Sequence, residues 1–377
     1  MLRKFERGVT SLVLVMFSTL LLITMTVGFM QLMVSEQTRS NDNELSQGAY
    51  DSAMAGVEDG KRALSACQSA GPSSAQCAAL DIHDCRLPVR LNLVNLTNGE
   101  MYIKTNSNGG VEYQQAYTCV NIYRDTNDYR GTLMTHDSQA LIPIRSQAPF
   151  TRIQVYWRIA GSTAATNLGL PSSLSLPAYG SSTWPLSKPA LLRAQLIQSS
   201  TATPIDQTLF DDNGNGHTVY LYPVTGGLAS TLQFASDSRR SGSLMPSPVS
   251  CGVLPVYDGY NCSATIELPD PIGGNANNRS AYLRLLATYN SADFMVRMIN
   301  SAGDIVQFSN VQPRIDSTGR ANDVFRRVDA RVEMVDPNDA SLYPRATVDV
   351  SHNFCKTFGV SALPSYYTPG ACSPTGP

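Results

Sequence analysis

Residues 1–36 read MLRKFERGVTSLVLVMFSTLLLITMTVGFMQLMVSE, and this stretch decides the organisation of the 377-residue chain. Arg3, Lys4 and Arg7 face a single acid, Glu6, and no ionisable side chain occurs from Gly8 to Ser35. Wound as a helix, residues 9–34 extend roughly 39 Å, more than the ~30 Å hydrocarbon core of a bilayer. The basic flank places the N-terminus on the cytoplasmic side and everything beyond Glu36 outside. A secretory signal peptide is the competing reading. It has an apolar core of about 7–15 residues and a small-residue cleavage site, whereas this run is longer and leads directly into polar helical sequence.

Leu45, Ala49, Ala53, Gly56, Val57, Gly60 and Leu64 continue at three- and four-residue steps, with Glu44, Asp51, Glu58, Asp59, Lys61 and Arg62 mostly between them. The stripe is small, so another backbone can approach closely. That backbone belongs either to the chain's own head or to copies of the same helix. Gly71-Pro72 marks the stop.

Beyond residue 72 the pattern alternates. Ile153, Val155, Trp157 and Ile159 share one face, as do Val328, Ala330, Val332 and Met334, which predicts half-buried antiparallel strands. Residues 294–299 and 305–308 flank a turn and predict a hairpin. Further strands are expected near 191–197, 218–223 and 282–289. Segments 161–190, 235–250 and 270–280 read as loops. Only 15% of residues are charged, and Lys+Arg 28 nearly balances Asp+Glu 30. No basic footprint exists for nucleic acid, so none is expected as a partner.

The eight cysteines (67, 77, 85, 119, 251, 262, 355 and 372) lack metal-site spacing and suit disulfides formed outside the cell membrane. Cys251–Cys262 and Cys355–Cys372 are the natural local pairs. Cys67, Cys77, Cys85 and Cys119 allow three connectivities, of which 67–77 with 85–119 is favoured. A catalytic site is not expected: nucleophile-elbow, zinc-peptidase, phosphate-loop and dinucleotide motifs are missing. The histidines are His83, His136, His217 and His352. His136-Asp137-Ser138 holds triad residue types, but neighbours on a strand point to opposite faces. Asp211, Asn213 and Asn215 match the start of a calcium loop. Tyr222 then stands where the bidentate glutamate belongs, so calcium is a weak candidate and no other cofactor is expected. Tyr123, Tyr129, Tyr366 and Tyr367 are candidate aromatics for a glycan or protein partner, with core packing or single surface tyrosines an equal explanation.

A basic leader ending in Arg7-Gly8, an immediate apolar helix and a helical continuation into a β-rich head together resemble type IV prepilins and pseudopilins. Leu45, Ala49, Ala53, Ala55, Gly56, Val57 and Glu58 are similar in arrangement to the helix of PilX-type minor pilins. Residues 315–320 followed by Arg326-Arg327-Val328 resemble the late segment of pilin heads. The resemblance implies an α+β fold: a leader (1–8), a transmembrane helix (9–34), its soluble continuation (35–70) and a disulfide-bonded, mainly antiparallel head. The head divides into a first part (71–145), an inserted β-sandwich-like region (146–269) and a second part with the C-terminal tail (270–377). It further implies cleavage between Gly8 and Val9 by a membrane prepilin peptidase, methylation of Val9, and assembly with other pilins at the cell surface after storage in membrane lipid. Major pilins carry a glutamate five residues into the mature chain. Here that position is Val13, a feature of subunits found at filament tips. The alternative is a surface-anchored adhesin that never enters a filament.

Overall fold

The computed structural model describes residues 6–71, 74–85, 87, 96–97, 100–103, 114–134, 139–162, 169–175, 184–198, 216–226, 231–236, 246–252, 257–272 and 281–334, with side chains from residue 11 onward except at 96–97, 198, 216, 235–236 and 270. The chain opens with one unbroken helix of 65 residues, α1 (Glu6–Ala70), followed by α2 (Ala75–Leu80). The strands are β1 (Leu96–Thr97), β2 (Glu100–Tyr102), β3 (Ala116–Thr126), β4 (Tyr129–Leu133), β5 (Gln139–Pro143) and β6 (Phe150–Ile159). They continue with β7 (Leu191–Gln198), β8 (Gly216–Thr225), β9 (Leu232–Gln233), β10 (Ala235–Ser236), β11 (Ser247–Cys251) and β12 (Cys262–Ile272). The last are β13 (Ala281–Thr288), β14 (Ala292–Ile299), β15 (Ile305–Val306), β16 (Phe308–Ala321) and β17 (Val324–Arg331). A long apolar N-terminal helix and a mostly antiparallel, disulfide-bonded β region make this an α+β chain.

Contacts divide the chain into two compact units: Met1–Tyr123 with Ile315–Ala330, and Arg124–Arg314 with Arg331–Pro377. In the first unit α1 ends where Gly71 takes φ +90° and its N–H bonds the Cys67 carbonyl at 3.0 Å, a left-handed cap that glycine adopts without steric cost. Ser74 Oγ accepts from the Cys77 N–H to start α2. Disulfides Cys67–Cys77 and Cys85–Cys119 tie α1 to α2 and the following loop to β3. The sheet order is β1-β2-β3-β16-β17.

The helix meets this sheet through small residues. A methyl group added at Gly60 would touch Ile315, one at Gly56 would touch Ser317, and one at Gly48 would touch Ala321. Conversely, a methyl at Gly319 would lie 2.2 Å from both the Ala49 carbonyl oxygen and the Ala53 amide nitrogen. Alternate residues of β16 (315, 317, 319, 321) therefore run beside successive turns of α1. Four helical residues rise about 6.0 Å and two strand residues about 6.6 Å, so the two rows stay in step for several turns. The small stripe of α1 thus docks on the chain's own sheet, with Ala49, Ala53 and Val57 fully buried.

The second unit contains a 12-stranded sheet with main path β15-β14-β6-β12-β11-β8-β7-β13-β5 and β4 beside β14. The consecutive strands β4 and β5 stand toward opposite ends of this path, and one core collects side chains from both, so the sheet is curled nearly into a barrel. In this sheet β8–β11 and β9–β12 pair in parallel. Trp157 anchors the core with its Nε1 donating to the Ala190 carbonyl at 3.0 Å. The alternation of Ile153, Val155 and Trp157 buries that face of β6 as expected from sequence.

Three differences from the sequence reading have physical reasons. β13 pairs with β7, and β14 with β6, so strands beyond residue 270 join the same sheet as those of 146–269. One curled sheet results, rather than a separate inserted sandwich. β17 is an edge strand that stops at Arg331, short of Val332 and Met334, although Val328 and Ala330 are half-buried as expected; Arg327 bonds Asp316, and Arg326 bonds Ser46 Oγ. The segment 235–250, read as loop, supplies β10 and most of β11.

The seam predicts a sharp contrast between two glycines. Gly319→Ala drives a methyl into helix backbone that has no side chain to move aside, and should cost about 3 kcal/mol or more. Gly28→Ala meets nothing within 4 Å and should be neutral. Thermal unfolding of the full chain in detergent reads both. Equal melting points would refute the close approach.

Candidate functional site

The most distinctive surface belongs to α1 itself. Every large apolar residue from Leu12 to Val34 is exposed, and this part of the helix is long and apolar enough to cross a membrane. Four of its hydroxyls are satisfied within the helix. Ser18 and Thr19 donate to the Val15 carbonyl, Thr24 to Leu21, and Thr26 to Leu22, at 2.9–3.0 Å. A hydroxyl bonded to its own helix leaves no donor to desolvate, which suits it to hydrocarbon. The first carboxylate after Glu6 is Glu36. Val13 lies about 35 Å before it along the helix axis, and is 44% exposed. Gly8 and Val9 fall within α1.

From Gly48 onward the same helix changes character. Its small face is covered by β16, while Glu58–Lys61 and Asp59–Arg62 pair along the outer face at 2.6 and 2.9 Å. Asp59 also accepts from the Tyr117 hydroxyl at 2.6 Å. Burial, reinforced by that bond, pushes the Tyr117 pKa far up, so the phenol remains a donor at any physiological pH.

The other sequence candidates scatter. Cys251 and Cys262 are bonded. Cys355, Cys372, Asp211, Asn213, Asn215, His136, His352, Tyr366 and Tyr367 lie outside the described residues. His83 stacks against Tyr123 with ring centroids 4.4 Å apart. Tyr129, which the sequence leaves open between partner binding and core packing, is a core residue that faces Phe294 and donates to Glu333 at 2.5 Å. Among the described residues no three His, Cys, Asp or Glu side chains converge.

Sequence reading missed a buried lysine in the second unit. Lys188 is 5% exposed. Its Nζ donates to the Tyr222 hydroxyl at 2.8 Å and lies 3.7 Å and 4.3 Å from the ring centroids of Trp184 and Tyr222. Trp184 in turn stacks on Tyr289 at 4.4 Å. Asn290 Nδ2 holds the loop by donating to the Pro185 and Lys188 carbonyls at 2.9 and 2.7 Å. The aromatic faces favour the ammonium, whereas burial opposes it and brings the pKa down to about 8. Trp184, Tyr222 and Tyr289 come from three separate segments, so no local motif announces the cluster.

This lysine predicts a pH dependence of stability. The unfolded chain keeps the proton up to about pH 10.4, while the folded chain begins to release it near 8. The unfolded state therefore holds more protons in that window, and stability rises with pH. Tyr222 and Tyr289 are pushed up by burial and stay protonated there. Between pH 8 and 9.5 the wild type should gain on the order of 1–2 kcal/mol relative to Lys188→Met in urea unfolding. A constant difference across that range would show that the amine is not desolvated.

No family model matches the chain, and neither curated proteins nor solved structures provide a match.

Proposed function

We propose that this chain is a membrane-held minor pilin or pseudopilin that joins, primes or tips an extracellular type IV pilus-like filament. The observation that carries the reading is the division of labour along one continuous helix. Residues 11–34 expose an apolar surface with self-satisfied hydroxyls, while residues 48–64 are fastened to the chain's own sheet. In this reading the apolar half is stored in the bilayer with the head outside. Cleavage at the Gly8–Val9 bond removes Arg3, Lys4 and Arg7, and the freed end passes into a bundle of like helices. The second unit is then an elaboration inserted into a pilin-type head. Its separate core also fits the alternative, a surface-anchored adhesin. That reading differs in one respect: a simple anchor keeps residues 1–8.

Mass spectrometry of the mature N-terminus separates the two. The expected product begins at methylated Val9, and Gly8→Leu accumulates in the membrane at precursor mass. A mutant with normal mature mass would overturn the reading.

Position in the filament follows from Val13. An amine drawn into an apolar bundle without a partner costs several kcal/mol, and Val13 offers no carboxylate to the neighbouring helix. The subunit should therefore occur in low copy near a filament end. Its deletion should reduce filament number, and immunogold label should cluster at tips. Label spaced evenly along the shaft would contradict this.

A further inference from the structure

The outer face of β14 and β6 in the second unit carries a cation with no anion beside it among the described residues. β14 sends Phe294, Val296 and Met298 into the core and Asp293, Met295 and Arg297 to the opposite face. Across the register Asp293 meets Arg158, Met295 meets Tyr156, Arg297 meets Gln154, and Ile299 meets Arg152. Over this face lies the turn Tyr257–Tyr260, in a loop clasped at its base by Cys251–Cys262. Asp258 (φ 45°) and Gly259 (φ 81°) supply the two positive φ values of a tight hairpin turn.

The other charges here are accounted for. Arg158 reaches Asp293 at 3.3 Å, and Arg130 reaches Asp128 and Asp258 at 2.8 and 2.7 Å. Arg152 bonds the carbonyls of Asn300 and Ser301, and the exposed Glu267 stands opposite it in register. Arg297 is 9% exposed, its Nη2 donates to the Tyr257 hydroxyl, and its Nε is buried without an acceptor among the described residues. Its guanidinium carbon lies 3.9 Å from the Tyr257 ring centroid and 5.9 Å from that of Tyr156. Desolvating a guanidinium without an anion is unfavourable, and the group that relieves it best is a bidentate carboxylate. Tyr257, 41% exposed, is the cover through which such a group would enter.

We propose that Arg297, with Tyr257, Tyr156 and Gln154, binds the carboxylate of an acidic sugar, the Tyr257 hydroxyl holding the place that the carboxylate oxygen takes. The exposed Tyr257 ring and the half-buried Gln154 amide suit the flat, hydroxyl-bearing face of a pyranose better than an aliphatic peptide side chain, while Tyr156, 6% exposed, backs the guanidinium from below. The site does not depend on whether the chain enters a filament, so it stands or falls apart from leader cleavage.

The test is titration of the full chain, in a detergent without a sugar headgroup, with methyl glucuronide, methyl glucoside and acetate, followed by saturation-transfer NMR. Saturable binding of the glucuronide alone is expected. Arg297→Gln should weaken it about tenfold or more, the value of one charge-assisted hydrogen bond. Tyr257→Phe keeps the ring but removes the competing hydroxyl, and should tighten binding about threefold or more by the same reasoning. A merely structural arginine would not produce that gain. No saturable binding by wild type and Tyr257→Phe would overturn the proposal, as would equal binding of glucoside or acetate, or an Arg297→Gln protein that binds like wild type. Should Arg297→Gln fail to fold, Tyr257→Phe decides: tighter binding supports the site, and unchanged or weaker binding overturns it.

Discussion

The arrangement of the first unit depends on the backbone-to-backbone approach of α1 and β16 at Gly319. A strand residue with no Cβ lets the helix backbone at Ala49–Ala53 come within van der Waals distance, and Gly48, Gly56 and Gly60 repeat the accommodation from the helical side. The two rows match because four helical residues and two strand residues cover nearly equal length. Larger side chains would hold the elements farther apart and open voids along the row. Asp316–Arg327 and Arg320–Glu100 then brace the sheet beside the seam. Both pairs join strand to strand within the sheet, so the close packing of small residues supplies most of what holds helix to sheet.

That docking fixes what the rest of α1 can do. Once residues 48–64 are committed to the sheet, residues 11–34 continue in the same helix with none of the described strands beneath them and an apolar surface on every side. Water is an unfavourable surrounding for such a surface, whereas lipid or a bundle of similar helices buries it. The hydroxyls of Ser18, Thr19, Thr24 and Thr26, turned back on their own carbonyls, lower the cost of that burial. Filament entry and cleavage at Gly8 are the proposals that these properties support.

The sequence made some of this legible and concealed the rest. The apolar helix is readable because ionisable residues vanish between Gly8 and Ser35, and its end because Gly71 precedes Pro72. The stripe from Ala49 to Leu64 announces a close-packed face, but periodicity cannot say which backbone covers it; Gly319, far along the chain, is the answer. β6 and β14 are visible in their alternation, yet their membership of a single sheet rests on pairings with distant strands that no local pattern encodes. Tyr129 reads equally as core or surface until Phe294 and Phe308 close over it. Lys188 and Arg297 were hidden for a related reason. A lone basic residue in a loop or strand reads as solvated, and only the folded chain brings Trp184 and Tyr222, or Tyr257 and Tyr156, around it.

Spin labels placed one at a time along residues 11–64 of the full chain in bilayer discs test the two-faced helix most directly, by comparing collisions with oxygen and with a water-soluble nickel chelate. The expected record is a single uninterrupted helical period. Oxygen should dominate from 11 to 34 and nickel around 36–47, and positions 49, 53 and 57 should be shielded from both. Free nickel access at those three positions, or a break in the period between the two halves, would contradict a continuous helix sealed to its own sheet.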